Sequence, residues 1–207
     1  MSPRIAAAIL AGGRGERLGG SVKANVAIGG VRLLERVSAA LHDADIVVVS
    51  LGGFRAAELA ILPGQIAVPD LLSDYLGPLA GVAAAVDWCL RQPVVPDLLV
   101  TAAVDTPFLP RDFVSRMVEA LPDGAPGLIA TSGGQDYPTN ALWRLEAIAS
   151  LPTGVRTATA PRSLRRLAAD LGATSLDWPD SGAGGPFANV NTPSDLEALE
   201  ARAGRLK

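Results

Sequence analysis

Short apolar runs alternate with amphipathic segments along this chain. Three runs are apolar at nearly every position, and each is followed by glycine or by a polar residue. They cover Arg4–Leu10, Ile46–Leu51 and Leu98–Val104. Runs of this kind are typical of strands that are covered on both faces, as in parallel sheets.

The segments between these runs repeat their apolar residues at helical spacing. Leu33–Leu41 and Pro78–Leu90 each carry one apolar face, and Pro110 suits the first turn of a further helix. Thr192 followed by a proline and an acidic residue predicts the N-cap of a last helix, with Gly204 as its stop. Strands alternating with helices predict a doubly wound α/β sheet.

The organisation of the chain predicts a single domain over residues 1–207. A chain of 207 residues suits one α/β domain, and it contains no repeats and no low-complexity linker. The stretch Pro179–Pro186, rich in glycine and proline, is interpreted as a loop.

The composition of the chain limits the partners and the compartment that can be expected. The net charge of −3 gives no sign of nucleic acid or of an acidic membrane surface as a partner. Cys89 is the single cysteine, which excludes an intramolecular disulfide and favours a reducing compartment. No apolar run approaches the roughly 20 residues of a spanning helix, and the short run at the N-terminus leads directly into glycines and charges. We therefore expect a cytoplasmic protein.

The basic residues single out one lysine. Of the 18 basic residues 16 are arginine, and the two lysines are Lys23 and the C-terminal Lys207. Lys23 closes a loop, Leu10–Lys23, that contains five glycines together with Arg14 and Arg17. Glycines let the backbone approach a ligand closely, and the positive charges favour a triphosphate. The loop matches neither G-x-G-x-x-G nor the P-loop pattern.

Two further segments carry polar residues after apolar stretches. Asp105 ends the most apolar strand; it is either a turn cap or a Mg²⁺ ligand, since Mg²⁺ is typically held by one or two carboxylates and substrate phosphates. Asn189 and Asn191 precede the Thr192 cap, and asparagine is common in turns. The amide of Asn191 could also complete a metal or phosphate site, and the residues alone leave both interpretations open.

Several other polar or aromatic residues favour structural roles. His42 is expected to be solvated and Cys89 to be packed in a helix. The run Arg162, Arg165 and Arg166 is either a solvated helix face or an anchor for an acceptor's phosphate or pterin. The tryptophans at positions 143 and 178 are expected in the core or in a lid.

Four motifs together resemble those of the molybdenum cofactor guanylyltransferases. They are L-A-G-G-x-x-x-R-L-G-G-x-x-K at Leu10–Lys23, G-P-L-A-G at Gly77–Gly81, D-T-P-F-L-P at Asp105–Pro110 and N-V-N-T-P at Asn189–Pro193. Their order and spacing also match. The resemblance implies a three-layer Rossmann-like nucleotidyltransferase fold of the α/β class with a mostly parallel sheet. It also implies transfer of GMP from GTP to molybdopterin, with release of pyrophosphate and with Mg²⁺ as the cofactor.

The resemblance also implies roles for individual residues. Lys23, Arg17 and Asp105 are the expected catalytic residues, and Asp105 is also the expected Mg²⁺ ligand. The acceptor side is expected at Asn189, Asn191 and Tyr137. The residues expected to contact the nucleotide are Leu10, Ala11, Gly12, Gly13, Lys23, Ser50, Asp70 and Asp105. The implied partners are GTP and molybdopterin, with transient contacts to other cofactor-biosynthesis or acceptor proteins, and neither nucleic acid nor a membrane.

The chain departs from the family pattern at four positions. Val22 replaces an aspartate, Ser50 an asparagine, Val104 a cysteine and Tyr137 a histidine. Two other functions therefore stay open. The first is a cytidylyltransferase acting on molybdopterin or another small phosphate acceptor, and the second is a nucleotide-binding paralogue without turnover.

Overall fold

The computed structural model describes residues 2–12, 20, 22–72, 77–179 and 185–205. Nine strands lie within these residues. They are β1 Ile5–Leu10, β2 Ala27–Ile28, β3 Val31–Arg32, β4 Ile46–Ser50, β5 Ile66–Val68, β6 Leu98–Ala103, β7 Gly127–Ser132, β8 Gln135–Arg144 and β9 Thr174–Asp177. The three predicted strands are confirmed as β1, β4 and β6, each to within one residue at either end.

Seven α-helices lie within the same residues. They are α1 Leu33–Ala40, α2 Ala56–Leu59, α3 Pro78–Leu90, α4 Phe113–Ala120, α5 Leu151–Arg156, α6 Leu164–Leu171 and α7 Pro193–Arg205. Two predicted boundaries are wrong. Pro110 lies three residues before α4, and its carbonyl accepts from the Phe113 N–H at 3.1 Å. Gly204 lies within α7, one residue before Arg205, the last residue of the helix that the structure describes.

Seven strands form one sheet in the order β5-β4-β1-β6-β8-β7-β9. The pairs β5–β4, β4–β1, β1–β6 and β7–β9 are parallel, whereas β8 is antiparallel to both β6 and β7. The sheet is therefore mostly parallel, as predicted. Strands β7 and β8 are joined by a tight turn in which Gly133 and Gly134 have φ values of 57° and 77°, which glycine adopts at little cost.

Helices cover both faces of the sheet, which makes the three predicted layers. Along β1 the side chains alternate, so that Ala7 and Ile9 join one apolar cluster and Ala6 and Ala8 the other. The first cluster includes residues of α1, α4 and α7, and the second includes residues of α3, α5 and α6. Burial on both faces explains why β1 and β6 are apolar at nearly every position.

The carboxyl ends of β1, β4, β5 and β6 meet at one edge of the sheet. Three of the segments singled out in the sequence follow these strands or pack beside them: the glycine loop, the segment at Asp105 and the start of α3. In open α/β sheets this edge is where ligands bind. None of the helices among the described residues is long and apolar enough to cross a membrane.

Candidate nucleotide-binding site

A cleft of about 290 Å³ opens at this edge of the sheet. Its lining comes from chain segments that are far apart in sequence and that each follow or flank a strand end. The lining residues are Leu10, Gly12, Lys23, Ser50, Gly52, Asp70, Gly77, Pro78, Gly81, Ala103, Val104, Asp105, Thr139 and Asn189. The charged side chains of this lining are one ammonium and two carboxylates, so the cleft combines donors for phosphate with oxygen ligands for a cation.

Lys23 lies at the centre of the polar contacts. Its Nζ donates to Asp105 Oδ2 at 2.7 Å and to Asn191 Oδ1 at 2.6 Å. The side chains of Lys23 and Asp105 are only 11% and 18% exposed. Reduced contact with water makes such a pair stronger than an ion pair on the open surface. The two contacts use two of the three ammonium protons and leave one directed elsewhere.

The segment around Asp105 is held by backbone hydrogen bonds on both sides. The Val104 N–H donates to the Leu10 carbonyl at 3.2 Å and extends the pairing of β6 with β1 by one residue. The Val190 N–H donates to the Asp105 carbonyl at 3.0 Å. This second bond joins the Asp105 segment to the segment that carries Asn189 and Asn191, so that both reach Lys23.

The cap of α7 fixes the position of Asn191. The Thr192 hydroxyl accepts from the Asp195 N–H at 3.2 Å, and the Asp195 carboxylate accepts from the N–H groups of Asn191 and Thr192 at 2.9 and 2.8 Å. The predicted capping motif is therefore confirmed. The hydrogen bond from the Asn191 backbone is the main reason that the pKa of Asp195 is lowered, and the nearby Lys23 charge adds to it.

Asp70 forms a second polar group in the cleft. Its carboxylate accepts from Ser50 Oγ at 3.3 Å and from the Gly52 N–H. Burial raises the pKa of the Asp70 carboxyl above its ordinary value, and the two hydrogen bonds offset part of this rise. A half-buried carboxylate with a raised pKa, lining a cleft, is typical of a functional site.

The start of α3 approaches the cleft through two glycines. Gly77, with φ 71°, is the N-cap of α3, and Gly81 lies one turn further on. A Cβ built on Gly81 would lie 2.6 Å from Ser50 Oγ and 3.2 Å from Leu10 Cδ2. A side chain at this position would therefore force the side chains of Ser50 and Leu10 in the cleft wall to shift.

A bulge in β8 brings a neutral residue to the cleft. Ile129 pairs with Ala141 and Ala130 pairs with Tyr137, so Pro138, Thr139 and Asn140 are extra residues in β8. Thr139 lines the cleft as a result. Asn140 Oδ1 accepts from the Ala103 N–H at 3.1 Å. Ala103 lies two residues beyond Thr101, whose pairing with Ala141 is the last between β6 and β8.

Most of the residues expected from the sequence come together in or beside the cleft. Leu10, Gly12, Lys23, Ser50, Asp70, Asp105 and Asn189 line it, and Asn191 contacts Lys23. Ala11 is fully buried, and its N–H donates to the Ser50 carbonyl at 3.1 Å. Gly13 and Arg17, like Arg14, lie outside the described residues.

Tyr137 is placed differently from the other expected residues. Its ring lies 5.0 Å from that of Phe187 and packs against the apolar cluster, while Thr139 of the same segment reaches the cleft. Thr139 was not predicted, because its position depends on the bulge. Gly52 was missed as well, although the pair Gly52-Gly53 after β4 repeats the pattern of glycines after β1.

The residues expected to have structural roles behave accordingly. Cys89 is buried, which raises the pKa of its thiol to about 11. The tryptophans at 143 and 178 lie in the core. His42 is exposed beside Asp43. On α6, Arg165 pairs with Asp136 and Arg166 with Asp170, both at 2.8 Å and both exposed, as on a solvated face.

The cation-binding capacity of the cleft rests on oxygen donors. Among the described residues no three His, Cys, Asp or Glu side chains cluster to hold a metal ion. The Asp105 carboxylate and the Asn191 amide oxygen nevertheless converge on one cation, the Lys23 ammonium. A hard divalent cation that takes its remaining ligands from phosphates and water fits such a donor set.

Comparison with known proteins identifies the class to which this fold and cleft belong. Residues 7–176 match the family model described as the MobA-like NTP transferase domain, and the chain belongs to this family of nucleotidyltransferases. It is 38% identical over 201 residues to the molybdenum cofactor guanylyltransferase of Rhodobacter capsulatus, covering 96% of each chain.

Two solved structures show how widely the fold is shared. The molybdopterin-guanine dinucleotide biosynthesis protein A of Archaeoglobus fulgidus has a TM-score of 0.72 at 23% identity, covering 97% of this chain and 99% of that one. A CMP:2-keto-3-deoxy-manno-octonic acid synthetase, solved with CTP, has a TM-score of 0.73 at 16% identity, covering 99% and 100%. Because the two scores are nearly equal, the fold confirms the predicted architecture and does not select the base.

Proposed function

We propose that this chain transfers GMP from GTP to the phosphate of molybdopterin carrying its metal, forming the guanine dinucleotide cofactor and releasing pyrophosphate. The observation that carries this proposal is the convergence of Lys23, Asp105 and Asn191 at one end of the cleft. These side chains belong to three of the motifs that resemble molybdenum cofactor guanylyltransferases, and a relative with that name covers almost the whole chain.

The nucleotide binds along the ends of β1, β4 and β5 in this proposal. The backbones of Leu10 and Gly12 face the nucleotide, and Ser50 and Asp70 line the same part of the cleft. Ala11, which is buried between them, supports this turn from behind. Backbone N–H groups in a glycine turn are suited to phosphates or to the edge of a base. Asp70 accepts hydrogen bonds in its ionised form, which suits N–H or hydroxyl groups of a nucleoside.

Mg²⁺ is the proposed cofactor, held by Asp105 with Asn191 beside it. When bound, Mg²⁺ supplies positive charge that screens the phosphates of the nucleotide during transfer. The fit rests on the two oxygen donors that converge on the Lys23 ammonium and on the preference of Mg²⁺ for carboxylates combined with substrate phosphates.

The residues of the chain supply charge and position rather than a base. The attacking phosphate oxygen of the acceptor is already anionic at neutral pH, so no proton has to be removed from it. Lys23, with Arg17 from the glycine loop, neutralises the β- and γ-phosphates as pyrophosphate leaves. Asp105 and Asn191 orient the Lys23 ammonium through their hydrogen bonds. His42, exposed beside Asp43, has no part in this chemistry.

The acceptor lies on the side of Asn189 and Asn191 in this proposal, with Tyr137 at its margin. Asn189 lines the cleft and Asn191 contacts Lys23, so a phosphate held there would meet the nucleotide near Lys23. The chain acts as a single domain in the cytoplasm, with transient contacts to other cofactor-biosynthesis or acceptor proteins.

Release of pyrophosphate tests this function directly. The protein is mixed with Mg²⁺, molybdopterin and either GTP or CTP, with Asp105→Asn as the control. Release with GTP, lost in the control, is the expected result. Release with CTP instead would identify a cytidylyltransferase. Tight GTP binding without release of pyrophosphate would identify a nucleotide-binding paralogue. This alternative stays open because Val22 and Ser50 depart from the family pattern.

A further inference from the structure

The backbone of Gly52 is in direct contact with the backbone of Gly12. Gly52 follows β4 and has φ 56°, a conformation that residues with a side chain rarely adopt. A Cβ built on Gly52 would lie 2.0 Å from Gly12 Cα and 3.0 Å from both Gly12 N and Gly12 C. No side chain therefore fits between the two residues, and one of the two backbones would have to move by at least about 1 Å to admit one.

Gly52 also contacts the other polar wall of the same part of the cleft. Its N–H donates to the Asp70 carboxylate. The neighbouring residues are fixed on both sides, because the Leu51 N–H donates to the Val68 carbonyl at 3.0 Å and the Ala11 N–H to the Ser50 carbonyl at 3.1 Å. Gly52 is thus the residue through which the turn after β1 and the carboxylate after β5 are held at a defined separation.

We infer that Gly52 is a positioning residue for the nucleotide, which sets the distance between the Gly12 backbone and the Asp70 carboxylate. The inference rests on the proposed function in taking Gly12 and Asp70 as nucleotide contacts. Gly52 acts on binding of the nucleotide and not on binding of the acceptor, because it contacts Gly12 and Asp70, whereas the acceptor is proposed at Asn189 and Asn191.

The next residue in the chain provides a matched control. Gly53 also has a positive φ, 89°, so alanine there meets the same kind of backbone strain. A Cβ on Gly53, however, has no heavy atom within 4 Å among the described residues. Gly52→Ala and Gly53→Ala therefore share the strain of alanine at a positive φ and differ in the contact with Gly12.

Steady-state kinetics of these two variants tests the inference. Gly52→Ala is expected to raise the KM for GTP by roughly 10- to 100-fold over Gly53→Ala, since a misplacement of about 1 Å in a binding group costs up to about 10²-fold. The KM for the acceptor is expected to stay the same in both. Because KM does not depend on the amount of folded enzyme, partial misfolding does not imitate this result. Equal KM values for GTP in the two variants would overturn the inference.

A second measurement separates this inference from the proposed function. The thermal shift that GTP with Mg²⁺ produces is recorded for both variants without any acceptor. A shift smaller in Gly52→Ala than in Gly53→Ala supports the positioning role even if the wild type transfers no GMP.

If Gly52→Ala does not fold, ¹H–¹⁵N spectra of the wild type replace it. GTP is then expected to move the amide signals of Gly12 and Gly52 but not that of Gly53, and a change at Gly12 without one at Gly52 would overturn the inference.

Discussion

Lys23 and Asp105 are separated by 82 positions in the sequence and form an ion pair of 2.7 Å that is largely withdrawn from water. The pair joins the 3₁₀ turn Lys23–Asn25, which follows the glycine loop, to the turn that follows β6. Asn191, 168 positions from Lys23, accepts a second hydrogen bond from the same ammonium. Three motifs that are distant in the sequence thus meet at one positive charge.

Removing either charge of this pair should slow transfer strongly while leaving the fold intact. Lys23→Ala and Asp105→Asn are each expected to lower kcat by about 10² to 10³, the usual effect of losing one group that stabilises developing charge. The backbone link at residue 105 persists in both variants, because the Val190 N–H donates to the Asp105 carbonyl and not to its side chain. Pyrophosphate release at saturating GTP, Mg²⁺ and molybdopterin measures kcat, and near-full turnover in both variants would contradict the assigned roles.

Ser50→Ala should move the acid limb of the pH profile to higher pH. The Ser50 hydroxyl donates to the Asp70 carboxylate and so favours its ionised form. Without this hydrogen bond, burial raises the pKa of Asp70 further, and nucleotide binding that needs the ionised carboxylate is lost at a higher pH. The pH dependence of kcat/KM for GTP measures this shift.

Asp70→Asn is the control for this pH effect. It removes the titrating group, so adding Ser50→Ala to it should leave the acid limb where it is; a shift in that double variant would assign the titration to another group. A carboxyl whose pKa is raised by folding does not change the stability below its unfolded pKa. As the pH rises above that value the carboxyl destabilises the folded state, and the cost is complete above its pKa in the folded protein. Any gain in stability from Asp70→Asn should accordingly be present at neutral pH and vanish in acid.

Alanine substitutions of two helical glycines should have different effects on GTP affinity and stability. In Gly81→Ala the new methyl group meets Ser50 Oγ and Leu10 Cδ2 in the wall of the cleft, so binding of GTP should weaken. In Gly204→Ala, in α7, the methyl group meets no heavy atom within 4 Å among the described residues. This variant should gain about 0.5–1 kcal/mol in the free energy of unfolding and keep its affinity for GTP. Calorimetric titration and urea unfolding measure the two effects, and equal affinities would contradict the role of Gly81.

Asn140→Leu should destabilise the sheet at the point where β6 and β8 separate. The substitution keeps the size of the side chain but leaves the buried N–H of Ala103 without its acceptor. An unpaired buried donor costs about 1–3 kcal/mol in the free energy of unfolding. Denaturant unfolding measures this loss. Asn25→Ala is the control, because its side chain donates to the Glu58 carbonyl at an exposed site and its loss should cost clearly less.

The sequence predicts the parts of this molecule that depend on local pattern. The strands β1, β4 and β6 are continuous apolar runs because both of their faces are covered, and the cap at Thr192 needs only residues that are close together in the chain. The paired strands β7 and β8 give a weaker signal. Their irregular register arises from the pairing of Ala130 with Tyr137, a tertiary relationship that no local pattern encodes.

The same distinction explains the candidate site. Lys23 and Asp105 could be selected from the sequence because each stands out from its surroundings, one as the lone internal lysine and the other as a carboxylate after an apolar strand. Thr139 could not, because the bulge in β8 turns it towards the cleft in place of Tyr137. Gly52 belongs to a glycine pair that the sequence shows, but its role depends on contact with a backbone 40 positions earlier in the chain, which no local pattern encodes.

Transfer of a labelled phosphate tests the central claim most directly. The protein is incubated with Mg²⁺, molybdopterin and GTP that carries its radioactive label on either the α- or the γ-phosphate, and the pterin product is separated from nucleotides and pyrophosphate. Transfer of GMP predicts that the α-label appears in the pterin product and the γ-label in pyrophosphate, with both lost in Asp105→Asn. Absence of the α-label from the pterin product, or appearance of the γ-label in it, would contradict the proposed function.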